Sequence, residues 1–298
     1  MVICPARNGQ NVEVMVRKCE VSVIIPARNE PYLQKTINDV LEKAAGSLEV
    51  IVILDGYWPS PALAEDARVK IIHRGRAHGM RAAINAAAAV AQGNYLMKTD
   101  AHCLFGIGFD SILAQDCQDN CVMVPRRYRL DPEQWKIIED SRPPVDYCYL
   151  NYELHGIDWK QRSQDPKYKD KLIDDLMSSQ GSVWFMPKKL FSALELMDEK
   201  RWGTFYNEFQ EIGLKAWLSG FSQVMLTKKT YYAHWYKGRV HGRGYHIPSK
   251  DKPQATQQVN KWFTFGKAWD KQKLPLSFLI DKFWPVPTWP EDRKLWSR

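Results

Sequence analysis

Long hydrophobic runs are missing from this chain. No uninterrupted apolar stretch approaches the ~18 residues that a membrane-spanning helix needs, so no such helix is expected. The opening MVICPARNGQ lacks the basic start and long apolar stretch of a secretory signal, which sets a cytoplasmic location as the expectation. Cysteine is sparse and unpatterned. The six (Cys4, Cys19, Cys103, Cys117, Cys121, Cys148) form no Cys-x-x-Cys pair, which excludes a disulfide framework and a four-thiolate zinc centre. Cys117 and Cys121 could place two ligands on one helical turn, but no second pair completes a zinc site, so reduced and mostly buried thiols are expected. With 45% apolar and 26% charged residues the composition is close to that of an ordinary globular protein, which excludes disorder and collagen-like structure. Its 298 residues allow one large domain or two small ones. Lysine and arginine (42) exceed aspartate and glutamate (34), and the net charge of +8 favours polyanionic partners: phosphate-bearing small molecules, nucleic acid or acidic surfaces.

Strands and helices alternate along the first third of the chain. Residues 21–26 (VSVIIP) read as a buried strand, and a helix should follow with Pro31 in its first turn and Leu33, Ile37, Val40, Leu41 and Ala44 at helical spacing, stopping at Gly46. Residues 50–54 (VIVIL) predict a second strand ending at Asp55, and residues 68–73 a third. An alanine-rich helix over 80–91 leads to a strand over 95–99 that runs into Asp100. This alternation predicts an α/β, Rossmann-like, mostly parallel sheet flanked by helices, with ligands beyond the carboxyl ends of its strands, where Asp55 and Asp100 lie. Residues 128–168 have weak periodicity and read as a long excursion covering one side of the site. Regular structure returns with a strand over 182–186, helices over 188–197 and 208–219, and a strand over 223–227 followed by a turn at 228–230. The similarity of VICPARNG (2–9) to IIPARNE (24–30) reads as chance, since only the second copy leads into a helix.

Lys98-Thr-Asp100-Ala-His102 is the sharpest local feature. A carboxylate and an imidazole two positions apart on an extended segment point the same way, so both can reach one ion, and a mixed oxygen and nitrogen set suits Mn²⁺ or another first-row metal better than Ca²⁺. Glu208 and Glu211 share one face of a predicted helix, where carboxylates also favour the helix dipole. Residues 231–246 (YYAHWYKGRVHGRGYH) combine aromatic rings, basic groups and glycines. Such a segment can close over a sugar nucleotide with Lys237, Arg239 or Arg243 on a diphosphate, grip a nucleic-acid backbone, or form a plain surface loop.

In order along the chain, VSVIIPARNE (21–30), VIVILDG (50–56), HGMRAAINAAAAVAQGNYLMKTDAH (78–102), GSVWFMPKKLF (181–191), EIGLKAWLSG (211–220) and Ala233-His234-Trp-Tyr together resemble the family 2 and family 27 glycosyltransferases of the GT-A fold. The metal motif is in the Asp-x-His form of the polypeptide N-acetylgalactosaminyltransferases. The resemblance covers about residues 20–236. It implies a GT-A domain over 1–236 with an extension at 1–20, and leaves 237–298 as a basic aromatic loop and tail. It further implies transfer of a hexose or N-acetylhexosamine from a UDP-sugar to an acceptor hydroxyl with Mn²⁺ (or Mg²⁺) held by Asp100, His102 and His234, the divalent ion neutralising the diphosphate as it leaves. His241 could compete for the third position but lies outside the motif. Asp55 is expected on the base or ribose, Pro26, Ala27 and Arg28 on the uracil side mainly through backbone groups, Ala101 within the metal motif, and Arg81 as a cation beside the diphosphate.

The resemblance points to Glu211 as the acceptor-side catalytic group, with Glu208 one turn earlier. Phe209 follows Glu208 where the usual inverting pattern has an aspartate base, and the Asp-x-His motif favours a retaining outcome, in which the leaving phosphate deprotonates the acceptor. A saccharide is the expected acceptor, with modified DNA or a protein as alternatives left open by the positive charge. Two other readings compete: a sugar-1-phosphate nucleotidyltransferase, for which no GxGTR-like loop follows the first strand, and a basic nucleic-acid-binding protein on a degenerate transferase fold, which would not explain the Asp, His, His set.

Overall fold

The computed structural model describes residues 19–237 and 242–296. Its strands are β1 (Val21–Ala27), β2 (Leu48–Asp55), β3 (Val69–Arg74), β4 (Tyr95–Thr99), β5 (Cys103–Phe105), β6 (Cys121–Asp131), β7 (Lys136–Ile137), β8 (Cys148–Leu150), β9 (Gly156–Asp158), β10 (Ile173–Asp175), β11 (Val183–Pro187) and β12 (Gln223–His234). The main sheet runs in the order β10-β12-β6-β11-β4-β1-β2-β3. Its β3-β2-β1-β4 half is parallel, as the alternation of strands and helices requires, because parallel neighbours need a crossover. Beyond β4 it is mixed: β11 runs antiparallel to both its neighbours, whereas β6 and β12 pair in parallel.

Both faces of the parallel half are covered, which is why β1 and β2 read as continuous apolar runs. Val23, Ile25, Val50 and Val52 point to one face, where the helices Leu33–Lys43 and Phe109–Asp116 supply Leu33, Ile37, Phe109 and Leu113. Ile24, Ile51 and Ile53 point to the other, against Ala83, Ile84 and Ala87 of the helix Met80–Val90. The helix Glu208–Leu218 joins this second core. So does the tail, through the helices Asp251–Asn260 and Leu276–Phe283 and the buried Trp262, Trp269, Trp289 and Trp296.

Several expectations change. The turn at 228–230 is a break in register within one long strand: Thr227 pairs with Pro125 and Tyr231 with Arg126, so three residues of β12 are extruded beside a proline that has no N–H to donate. The helix expected over 188–197 ends at Ala193, and Glu195 and Met197 take positive φ. The excursion at 128–168 does not wall the site. It contains β7, β8, β9 and two short helices, and Tyr147, Leu150 and Trp159 enter the core shared with the tail. Among the described cysteines, Cys103, Cys117, Cys121 and Cys148 are buried free thiols and Cys19 is partly exposed. Among the described residues no helix is long and apolar enough to cross a membrane.

Candidate active site

A cleft of about 690 Å³ opens over the carboxyl ends of β1, β2 and β4. Pro26, Ala27 and Arg28 border it where β1 ends, Asp55 where β2 ends, and Asp100 and Ala101 where β4 ends. The backbone N–H of Asp100 donates to Ser182 O at 2.9 Å, fixing the turn that carries its carboxylate. His102 directly precedes β5, and β5 pairs antiparallel with the end of β12 so that Cys103 faces His234. Trp235 N–H donates to His102 O at 3.1 Å, and this pairing carries His234 to Asp100 and His102 across more than a hundred intervening residues.

The three side chains converge. One ligand atom from each of Asp100, His102 and His234 lies within 4.8 Å of the others, which among the described residues is the group able to share an ion. His234 Nε2 is 3.2 Å from Asp100 Oδ2, and His102 Nε2 is 4.0 Å from the same oxygen. Burial lowers the pKa of His234 to about 4, so its ring is neutral at pH 7 and has a lone pair to offer. Burial works against the Asp100 carboxylate, but Lys98 and His234 outweigh it and hold its pKa below the usual carboxylate range. One anionic oxygen donor and two imidazoles suit a first-row divalent ion.

Lys98 lies behind this group. Its ammonium is fully buried and donates to Asp100 Oδ1 (2.6 Å), Gly181 O (2.6 Å) and Glu208 Oε2 (3.1 Å). Glu208 also borders the cleft, and its Oε1 accepts from Trp184 Nε1 at 2.7 Å. Burial raises its pKa. A Cβ at position 181 would collide with the Glu208 carboxylate and displace it. Alternation at the end of β4 puts Lys98 and Asp100 on one face, which is the signal in the sequence that points to Lys98. Trp184 and Gly181 carry no comparable signal, since their importance comes from Glu208, which is distant in the chain.

Two expected site residues are elsewhere. Arg81 does not reach the cleft: it is fully buried, pairs with Glu211, and donates to Tyr206 O at 2.8 Å. Glu211 is equally buried, and its Oε1 accepts from Lys215 Nζ at 2.7 Å and from Asp198 N–H at 3.1 Å. Two cations and a backbone amide occupy its carboxylate, which does not border the cleft. Asp55 borders the cleft, but its oxygens accept from the N–H groups of His78 (2.9 Å) and Gly79 (2.8 Å), with Arg74 at 3.5 Å. It thereby pins the entry to the helix Met80–Val90, where Gly79 takes a φ of 99° and a side chain would strike Thr204.

Residues 242–248 form another wall. Asn29 Nδ2 donates to Gly244 O at 2.8 Å, and Arg28 lies 5.3 Å from the centre of the Tyr245 ring, so the loop after β1 holds this segment over the cleft. Lys237 and Arg243 border the cleft, whereas Arg239 and His241 lie outside the described residues. Phe205, Tyr206, Trp235 and Tyr236 add aromatic rings to its rim.

No curated protein matches the chain. Among solved structures, GalNAc-T7 crystallised with UDP, GalNAc and Mn²⁺ superposes with a TM-score of 0.67 at 18% identity, covering 84% of this chain and 49% of that one. TarS residues 1–349 from S. aureus in complex with UDP-GlcNAc gives 0.50 at 12% identity, over 81% of this chain and 64% of that one. The chain thus spans about half to under two thirds of these relatives, and the likeness is one of fold, the GT-A fold. The model of Glycosyl transferase family 2 matches residues 22–194, more than half of the sequence, and the chain belongs to that family.

Proposed function

We propose that this glycosyltransferase moves a hexose or N-acetylhexosamine from a UDP-sugar to a saccharide hydroxyl and requires Mn²⁺ or a similar divalent ion. The observation that carries the reading is the convergence of Asp100, His102 and His234 at the strand end bordering the cleft. When bound there, the ion would neutralise charge on the departing diphosphate. The protein's own groups do the rest. Lys98 bridges Asp100 and Glu208, and its ammonium offsets the repulsion between the two neighbouring carboxylates. Arg28 and Arg243 would supply positive charge around the diphosphate, with Pro26, Ala27 and Asp55 towards the nucleoside. Glu208 replaces Glu211 as the acceptor-side carboxylate, because it borders the cleft and its position is locked by Trp184 and Lys98. The aromatic rim formed by Phe205, Tyr206, Trp235 and Tyr236 suits the apolar faces of sugar rings.

Glu208 accepts from both Lys98 and Trp184, so it is better placed to orient the acceptor than to remove its proton. That supports retention of configuration, with the leaving phosphate as base. Release of UDP from a panel of UDP-sugars, with saccharide and DNA acceptors and with or without chelator, tests the proposal. Turnover on one UDP-sugar that chelation abolishes and Mn²⁺ restores is the expected result, with a product of the donor's anomeric configuration. Full turnover in chelator would contradict the metal assignment, and an inverted product would contradict the retaining one.

A further inference from the structure

Glu30 follows the loop after β1, where Asn29 takes a positive φ of 52° and turns the chain back towards the metal motif. Its carboxylate bridges two elements far apart in sequence: Oε2 lies 3.0 Å from His102 Nδ1, and Oε1 accepts from Lys237 Nζ at 2.7 Å. The Glu30 side chain is only 7% exposed. A carboxylate oxygen accepts and does not donate, so the contact with His102 requires the proton on Nδ1. The lone pair is then on Nε2, the nitrogen 4.0 Å from Asp100 Oδ2. In the opposite tautomer Nε2 would present a proton to the ion.

We infer that Glu30 is a positioning residue for the cation site: it selects the Nδ1–H tautomer of His102 and fixes the ring, while Lys237 holds the carboxylate from its other side. This rests on the reading of Asp100, His102 and His234 as ligands. Lys237 also balances the Glu30 charge, so Glu30 steadies the site without adding net negative charge to it. Partners of this kind that orient a metal-bound histidine typically change metal affinity by about 10- to 100-fold when removed.

Two readouts independent of turnover test the inference. In the metal-free protein, imidazole ¹⁵N shifts should show His102 as the Nδ1–H tautomer, and Glu30→Gln, whose amide can donate to Nδ1, should populate the other form. By electron paramagnetic resonance of free Mn²⁺, Glu30→Gln and Glu30→Ala should raise the Mn²⁺ Kd by about 10- to 100-fold, with Lys237→Met causing a smaller rise. An Nε2–H tautomer in the unmodified protein, or Kd values within about twofold of it in the Glu30 variants, would overturn the inference even though Mn²⁺ binds. Should Glu30→Ala fail to fold, Glu30→Gln and the tautomer of the unmodified protein decide. Absence of Mn²⁺ binding in the unmodified protein would instead overturn the ligand assignment on which the inference stands.

Discussion

Glu208 and Glu211 are three positions apart on one helix, and their surroundings differ entirely. Glu208 borders the cleft between Lys98 and Trp184, whereas Glu211 is sealed between Arg81 and Lys215. Helical spacing could put them on one face but could not tell them apart, because the deciding partners come from β4, β11 and the helix Met80–Val90. Substitution should separate their roles. Glu208→Gln is expected to cut turnover by roughly 10²-fold or more and to cost less stability than Glu211→Gln, because Lys98 keeps Asp100 as a counter-charge. Glu211→Gln should destabilise the fold by about 3–5 kcal/mol, the cost of leaving buried cations uncompensated. Denaturant titration and steady-state kinetics on both variants check this, and a stable but inactive Glu211→Gln would reverse the assignment. His234 gives a second residue-scale prediction. Its pKa falls from an ordinary 6.5 to about 4 on folding, so between these values the unfolded chain binds a proton that the folded one excludes. Stability is therefore lost as pH falls through that window, by about 2 kcal/mol from this residue at pH 5. In metal-free protein, denaturation at pH 7 and pH 5 should show that extra loss in the unmodified chain and not in His234→Gln. Equal losses would contradict a neutral, buried ring.

At the scale of elements, legibility followed the period of the apolar pattern. β1, β2, β4 and the helix Met80–Val90 were readable within a residue or two, since strands covered on both faces are continuously apolar and an alanine-rich helix has no competing signal. β6 was not readable. Its sequence CVMVPRRYRLD contains a proline and a cluster of basic residues, both of which argue against a sheet interior. The conflict resolves at the register break, where β12 extrudes residues opposite Pro125 and the arginines find acids, Arg126 pairing with Asp146 at 2.6 Å and Arg127 with Asp158 at 3.0 Å. The break also explains how a strand that appeared to stop at Thr227 continues to His234. The third member of the cation group could thus be named from motif order, but its route to the site depends on the pairing of β5 with β12, which no local pattern announces.

For the whole molecule, the tryptophan-rich tail had no readable role, and its function in the fold is to close the second core. Trp262, Trp269 and Trp296 are buried in the core that the helix Glu208–Leu218 also joins, and Lys215 of that helix lies 5.5 Å from the centre of the Trp269 ring, so the tail supports the element that carries Glu208. Trp262→Ala should cost about 3–5 kcal/mol through the cavity it leaves, seen as a lower denaturation midpoint. An unchanged midpoint would mean that the tail docks without stabilising the domain. Asp100 just after β4, His102 just before β5 and His234 at the end of β12 are expected to hold one divalent ion facing the cleft. Anomalous diffraction from a crystal grown with Mn²⁺ and UDP checks this. A single manganese peak is expected about 2.0–2.4 Å from Asp100 oxygen, His102 Nε2 and a His234 nitrogen, near the usual range for first-row metal ligands. A peak held by Asp100 and His102 alone, by His241, or away from the cleft would contradict it.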